Sequence, residues 1–183
     1  MRRLGAIFAG GHARRFGSDK AMALLDGRPL LDHVASRLVP QVDSLVVVGR
    51  DWPGLTRVDD QPEPDLGPLG ALAGALAHAG RIGFTDVLTS GCDLPDLPEN
   101  LATILGPAPA VVKGLPLLGL WQASLFDKLL HHLKETDDRS IRGWIAQSGA
   151  ASIALPYALS NINTPEDLAA LTDVRREDRR SSP

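Results

Sequence analysis

Short apolar runs alternate along the chain with longer stretches that carry an apolar residue every three or four positions. Leu4 to Phe8 and Leu45-Val-Val-Val48 predict buried strands, the second stopping at Gly49. Asp86-Val-Leu-Thr-Ser90 predicts another, running directly into Gly91-Cys-Asp. Val111-Val112 and Leu117 to Trp121 predict two more, joined through Gly114-Leu-Pro, and Ala151 to Leu155 a late one. Between them, Leu30, Val34 and Leu38 repeat at helical spacing behind Pro29, and Gly67-Pro68 opens a helix with Leu69, Leu72, Ala73 and Leu76 on one face. Ser124 is a candidate cap for a helix with Leu125, Leu129 and Leu133 on its stripe. Thr164-Pro-Glu-Asp167 combines a capping hydroxyl, a first-turn proline and acids near the positive end of the helix dipole. Strands alternating with helices predict an α/β layered fold with a mostly parallel sheet. From Asp173 to Pro183 the chain is charged and lacks apolar periodicity, which predicts a disordered tail.

Composition narrows the function classes. With 183 residues and 44% hydrophobic content, one well-packed domain is expected. A net charge of −3 gives no general polyanion-binding surface, and 4% aromatic residues leave few platforms for stacking bases. Nucleic acid is therefore not an expected partner. Cys92 is the single cysteine, which rules out an internal disulfide and a cysteine-based zinc site. The five histidines, at 12, 33, 78, 131 and 132, lack the spacing of a metal-binding helix. Apolar stretches are broken well short of a membrane span, and Met1-Arg-Arg-Leu-Gly-Ala-Ile-Phe reads as a first strand instead of a signal peptide. A cytoplasmic protein without a membrane partner is expected.

The candidate chemistry begins after the first strand. Phe8-Ala-Gly-Gly-His-Ala-Arg-Arg-Phe-Gly-Ser-Asp-Lys20 places glycines at 10, 11 and 17 beside Arg14, Arg15 and Lys20. Unobstructed backbone amides with three cations suit a polyphosphate. The spacing matches neither a P-loop nor the dinucleotide fingerprint, and a tight turn with surface arginines is the alternative. Asp93, in Cys92-Asp-Leu-Pro-Asp-Leu-Pro98, follows a predicted strand, where ligands of open α/β sheets bind. A capping or solvated turn acid remains open for it. Cys92 reads as a small buried residue, and Asp96 and Glu99 as solvated. Asp59-Asp60 precedes a proline-rich loop in which Glu63 and Asp65 read as surface acids. Asn161-Ile-Asn163 puts two amides on one side of an extended segment, where capping the Thr164 helix and bridging the turn is the structural role.

The glycine loop resembles the signature of nucleotidyltransferases, and more closely that of the molybdenum cofactor guanylyltransferase family (MobA type). The likeness continues through Asp60 with Gly67-Pro-Leu, Cys92-Asp, Pro116-Leu-Leu-Gly-Leu-Trp121 and Asn161-Ile-Asn-Thr-Pro, from Leu4 to about Leu171. It implies a single three-layer, Rossmann-like nucleotidyltransferase domain over residues 1–172. It also implies transfer of GMP from GTP to the phosphate of molybdopterin or molybdenum-molybdopterin, releasing pyrophosphate. By this resemblance Arg15, Lys20 and Asp93 are catalytic, and Asp93 holds Mg²⁺. The nucleotide is expected on Phe8, Ala9, Gly10 and Gly11, with Lys20, Gly49, Asp60 and Asp93, and the pterin substrate on Asn161 and Asn163. Arg139 and Arg142, near Trp144, are where a basic group for the pterin phosphate would fall, solvation being the alternative. Other molybdenum-cofactor biosynthesis proteins and apo-molybdoenzymes are the protein partners the likeness suggests.

Departures from the pattern lie at Leu115, where the family often has histidine, and at Gly70, where alanine usually precedes the glycine. Gly10, Asp19-Lys20 and Gly67-Pro-Leu follow the guanylyl type over the cytidylyltransferase of the same pathway. Sugar-phosphate nucleotidyltransferases are usually longer chains. A nucleotide-binding or cofactor-delivery module without turnover stays open, although binding alone does not require Arg15, Lys20 and Asp93 together.

Overall fold

A computed structural model describes residues 2–10, 19–136 and 138–181. Its centre is a seven-stranded sheet. The strands are β1 (Arg3–Phe8), β4 (Ser44–Val48), β5 (Thr56–Val58), β6 (Asp86–Gly91), β7 (Ala110–Val112), β8 (Leu115–Gln122) and β9 (Ala151–Ile153), and a separate two-stranded hairpin is made by β2 (Leu24–Leu25) and β3 (Arg28–Pro29). The order across the sheet is β5-β4-β1-β6-β8-β7-β9. Only β8 runs against its neighbours, pairing antiparallel with β6 and β7.

Strand β6 is buried along its whole length, as expected of a central strand covered on both faces. Its polar residues are satisfied inside: Thr89 Oγ1 donates to Leu117 O at 2.8 Å and accepts from Trp121 Nε1 at 3.2 Å. Helices α2 (Gly67–Arg81), α4 (Phe126–Glu135) and α5 (Ile141–Ser148) cover one face, where Leu72, Leu76, Leu129 and Trp144 share one core cluster. Helices α1 (Leu30–Leu38) and α3 (Leu101–Leu105) cover the other, through Val34, Leu38, Leu101 and Leu105. This is the expected three-layer α/β arrangement. No helix among the described residues is long and apolar enough to cross a membrane.

Several local expectations change. Ser124 lies within a 3-10 turn, Ala123–Leu125, and α4 begins beyond it without a side-chain cap. Strand β5, the β2–β3 hairpin and α5 have too few apolar residues in register to stand out in sequence. The hairpin turns through Asp26 and Gly27, both with positive φ (54° and 77°), the conformation that tight hairpin loops require.

The largest correction concerns the tail. In place of a disordered segment from Asp173, helix α6 runs from Pro165 to Ser181. Its start carries the expected Thr164 cap, which Asp167 makes reciprocal: Asp167 N donates to Thr164 Oγ1, and Thr164 N to Asp167 Oδ2. Its continuation depends on charge. Arg175 and Arg179, one turn apart on one face, both pair with Asp26 at 3.0 Å. Arg175 also pairs with Asp96. Apolar periodicity cannot report such contacts.

Candidate active site

The sheet reverses its direction of growth at β1, with β4 and β5 on one side and β6 on the other. Open α/β sheets bind ligands in the crevice at such a switch point, beyond the carboxyl ends of the strands. Phe8 is in register with Val48 and with Gly91, and Val48 with Val58. The chain therefore leaves four adjacent strand ends together, carrying Asp60, Gly49, Gly10 and Asp93 in that spatial order. Strands lie about 4.8 Å apart, so this rim spans about 14 Å from β5 to β6, the scale of an extended nucleoside triphosphate.

The floor of the rim is backbone. Gly49 has φ +88°, and a Cβ there would stand 2.6 Å from Gly10 Cα. Two glycines are needed because two main chains touch. Ala9 N donates to Val48 O at 3.1 Å and Gly49 N to Val58 O at 2.9 Å, continuing the ladder past the strand ends. Phe8 and Ala9 are half-buried, and Gly10 is exposed where the loop departs. Gly11 and Arg15, both nominated from sequence, lie outside the described residues.

At the β6 end, Lys20 Nζ donates to Asp93 Oδ2 and to Asn163 Oδ1, each at 3.2 Å. Three residues proposed separately from sequence, 73 and 143 positions apart, thus meet at one ammonium. The Lys20 and Asp93 side chains are 15% and 21% exposed, so the pair is reachable but largely shielded. Gly91 makes room for this carboxylate: a Cβ there would stand 2.6 Å from Asp93 Oδ1. Ile162 N donates to Asp93 O at 2.9 Å, and the Ile162 side chain is buried with Leu25 and Leu30. On the same segment Asn161 Oδ1 is buried with no hydrogen-bond partner among the described residues. Asn163 N and Thr164 N both donate to Asp167 Oδ2, holding that carboxyl below the usual range. The helix cap is thus built by Thr164 and Asp167, and the Asn163 side chain is turned to Lys20 instead.

At the β5 end, Asp60 lies over α2. A Cβ on Gly70 would come within 3.2 Å of its Oδ2, so the small residue that departs from the usual motif gives the carboxylate its place. Burial, with Asp65 and Asp59 nearby, raises the Asp60 pKa. Burial likewise pushes the Cys92 thiol up to about 11, with Asp93 adding to it. A thiol so protonated is a packing residue and no nucleophile. Asp96 is not the solvated acid expected, since Arg175 covers it. Arg139 and Arg142 are exposed, and Trp144 is core on the α2–α4 face.

One neighbour of the rim escaped the sequence. Arg50, next to Gly49, donates from Nη1 and Nη2 to the two oxygens of Asp19 at 2.6 and 2.5 Å, lowering the Asp19 pKa. Asp19 also accepts from Ala21 N, so this pair ties the turn carrying Lys20 to the end of β4. An arginine after a strand-ending glycine has no pattern of its own, so nothing singled it out.

The sequence profile of the MobA-like NTP transferase domain matches residues 5–151. The chain belongs to this family. Among similar proteins, a molybdenum cofactor guanylyltransferase of Cereibacter sphaeroides is 35% identical across 97% of this chain and 100% of its own length. One of Rhodobacter capsulatus is 33% identical across 97% and 98%. The crystal structure of the molybdopterin-guanine dinucleotide biosynthesis protein A of Archaeoglobus fulgidus superposes with a TM-score of 0.72 over 95% of this chain and 99% of that one, at 21% identity. That likeness supports the fold. The family match ends inside β9, so Asn161, Asn163 and α6 lie beyond it.

Proposed function

We propose that the protein is a guanylyltransferase of molybdenum cofactor synthesis, transferring GMP from GTP to molybdopterin or its molybdenum-loaded form. A phosphate oxygen of the pterin attacks the α-phosphorus of GTP, a phosphoanhydride bond forms, and the bond to the leaving pyrophosphate breaks. The observation that carries this reading is the convergence of Lys20, Asp93 and Asn163 at the switch point of a nucleotidyltransferase fold. Full-length relatives named for this activity support it.

The rim orients the nucleotide. Asp60, an acceptor-only carboxylate when ionised, suits the adjacent N1–H and N2–H donors on the edge of guanine, where cytosine offers one N4–H₂ donor beside acceptors that would face the carboxylate. The Gly10–Gly49 contact lets a ribose or phosphate approach the main chain closely. Lys20 carries three donors, and two bonds to side chains leave one for a phosphate oxygen. Charge developing on the pyrophosphate is then met by a fixed cation, the kind of contribution on which phosphoryl and nucleotidyl transfer depend. Arg15 is assigned to the same triphosphate. Asn161 and Asn163 are assigned to the pterin, for which the buried Asn161 Oδ1, unpartnered among the described residues, is an acceptor suited to a substrate N–H.

Mg²⁺ fits this donor set. Among the described residues no three His, Cys, Asp or Glu side chains gather as an ion cage, but Mg²⁺ commonly takes one or two carboxylates and completes its shell from phosphates and water. Asp93 would hold it, and the bound ion would supply charge neutralisation on the phosphate oxygens. Calorimetric titration with GTP and CTP in Mg²⁺, followed by turnover with molybdopterin, tests the proposal. GTP is expected to bind roughly 10²-fold more tightly than CTP, as a site that pairs with the base edge allows. Equal binding of both, or GTP binding without transfer, would refute it.

A further inference from the structure

The C-terminal helix lies outside the family match, yet it touches both halves of the site. Arg175 bridges two carboxylates 70 residues apart in sequence: Asp26 in the turn of the hairpin that follows Lys20, and Asp96, three residues after Asp93. Its side chain is only 21% exposed, and Asp26 is 13% exposed, so the bridge is shielded from solvent. The hairpin and the Asp93 loop rest on different apolar clusters, linked through the Lys20 turn, whose Ala21 packs with Leu94 and Leu97. Leu94 and Leu97 anchor the Asp93 loop in the layer with α1 and α3, whereas Leu25 and Leu30 anchor the hairpin with Ile162, Leu168 and Leu171. On its open side the bridge borders a polar hollow of about 500 Å³ between Arg28, His33, Arg37 and Asp96. Apolar packing does not fill that side, so charge holds the two segments together there.

We infer that Arg175 is a positioning residue: through Asp26 and Asp96 it sets the separation of the Lys20 turn and the Asp93 loop, and with it the Lys20–Asp93–Asn163 geometry. The inference rests on the active-site reading above. A planar guanidinium with donors on both edges can serve two carboxylates at once, and an ammonium cannot do so with the same geometry. Arg179, 67% exposed and paired with Asp26 but not joined to Asp96, supports the hairpin without completing the strut.

The test is a mutant cycle on the full-length protein, read as kcat and KM for GTP in transfer to molybdopterin. Arg175→Met keeps the apolar stem and removes both ion pairs. Misplacement of a positioned group by about 1 Å can cost about 10²-fold in rate, so kcat is expected to fall between about 10- and 100-fold with KM for GTP nearly unchanged. Asp96→Asn, a milder change should Arg175→Met fold poorly, is expected to give the same split, and Arg175→Lys to recover part of the loss. Arg179→Ala is expected to keep kcat within about twofold, as an exposed ion pair allows. The discriminating measurement is Arg175→Met combined with Lys20→Met. If Arg175 acts through the Lys20–Asp93 pair, the combined loss is smaller than the product of the two single losses, and losses that multiply in full overturn the inference. Hydrogen exchange at the Ile162 amide, bonded to Asp93 O, gives a readout independent of turnover, and faster exchange is expected in Arg175→Met and in Asp96→Asn. Full kcat in Arg175→Met and Asp96→Asn beside a lost kcat in Lys20→Met overturns the strut alone. Full kcat in Lys20→Met overturns the active-site reading beneath it.

Discussion

The two walls of the site are held by different forces. The sheet-side wall, with Gly10, Gly49, Asp60 and Asp93, hangs directly from four strand ends, of which Val48, Val58 and Gly91 are buried and Phe8 is half-buried. Its shape is set by ladder hydrogen bonds and by backbone contact between glycines. The C-terminal wall, Asn161 to Ser181, rests on a small apolar cluster built around three buried residues, Leu25, Leu30 and Ile162, and on ion pairs to Asp26 and Asp96. Close packing defines position to fractions of an ångström, whereas an ion pair open to solvent, such as Arg179–Asp26, contributes little stability. On the C-terminal wall the shielded Arg175 bridge is what fixes a distance. The rigid wall therefore suits the nucleotide and metal groups. The more adaptable one suits a bulky second substrate that must enter and leave.

Substitutions on either wall can break or sharpen that contrast. The largest effect is expected for Asp93→Asn, which keeps shape and removes the charge proposed to hold Mg²⁺. Turnover should fall by at least about 10²-fold while thermal stability holds. Near-normal activity with an unchanged Mg²⁺ dependence would make Asp93 a structural turn acid.

Asp60→Asn probes the base end of the same wall. The GTP-over-CTP preference should shrink by roughly 10²-fold, because the amide offers donors where guanine needs an acceptor. Stability should hold or rise, since burial already disfavours the charged carboxylate. The same raised pKa sets the pH behaviour of the native protein. Protonation removes the acceptor, so GTP affinity should weaken on acidification at a pH above the ordinary carboxylate range. Titrations across pH on the native protein and on Asp60→Asn, in which that component should vanish, check both statements.

Gly49→Ala tests whether main-chain contact sets the floor. A non-glycine residue at φ +88°, with its Cβ 2.6 Å from Gly10 Cα, must move one loop or the other. A stability loss of about 1–3 kcal/mol with weakened GTP binding is expected. Unchanged melting and affinity would show that the rim tolerates displacement.

The smallest effect on stability is expected at Asn161, on the adaptable wall. Its buried Oδ1 lacks a partner among the described residues, so Asn161→Ala removes an unsatisfied acceptor and should leave the melting temperature nearly unchanged or higher. Transfer to molybdopterin should nevertheless fall at constant GTP affinity. A lower melting temperature with unaltered activity per folded molecule would assign Asn161 to structure.

The amino-acid sequence by itself determined the central strands, the long helices and the residues that meet in the site. Buried strands must be apolar runs, covered helices must repeat their apolar residues, and groups that handle phosphate gather beyond strand ends, so Lys20 and Asp93 stood out, as Asn163 did by its family motif, before their 3.2 Å contacts did. Only the tertiary structure decided where the charged residues went. Asp173 to Ser181 has no apolar repeat and reads as solvated, yet Arg175 and Arg179 find Asp26, 149 and 153 positions away, and the helix forms to Ser181. Arg50 finds Asp19 in the same way. Local pattern records burial because burial repeats with the period of the element. An ion pair between distant segments repeats with nothing, and it exists only once the sheet has brought its partners to the same rim.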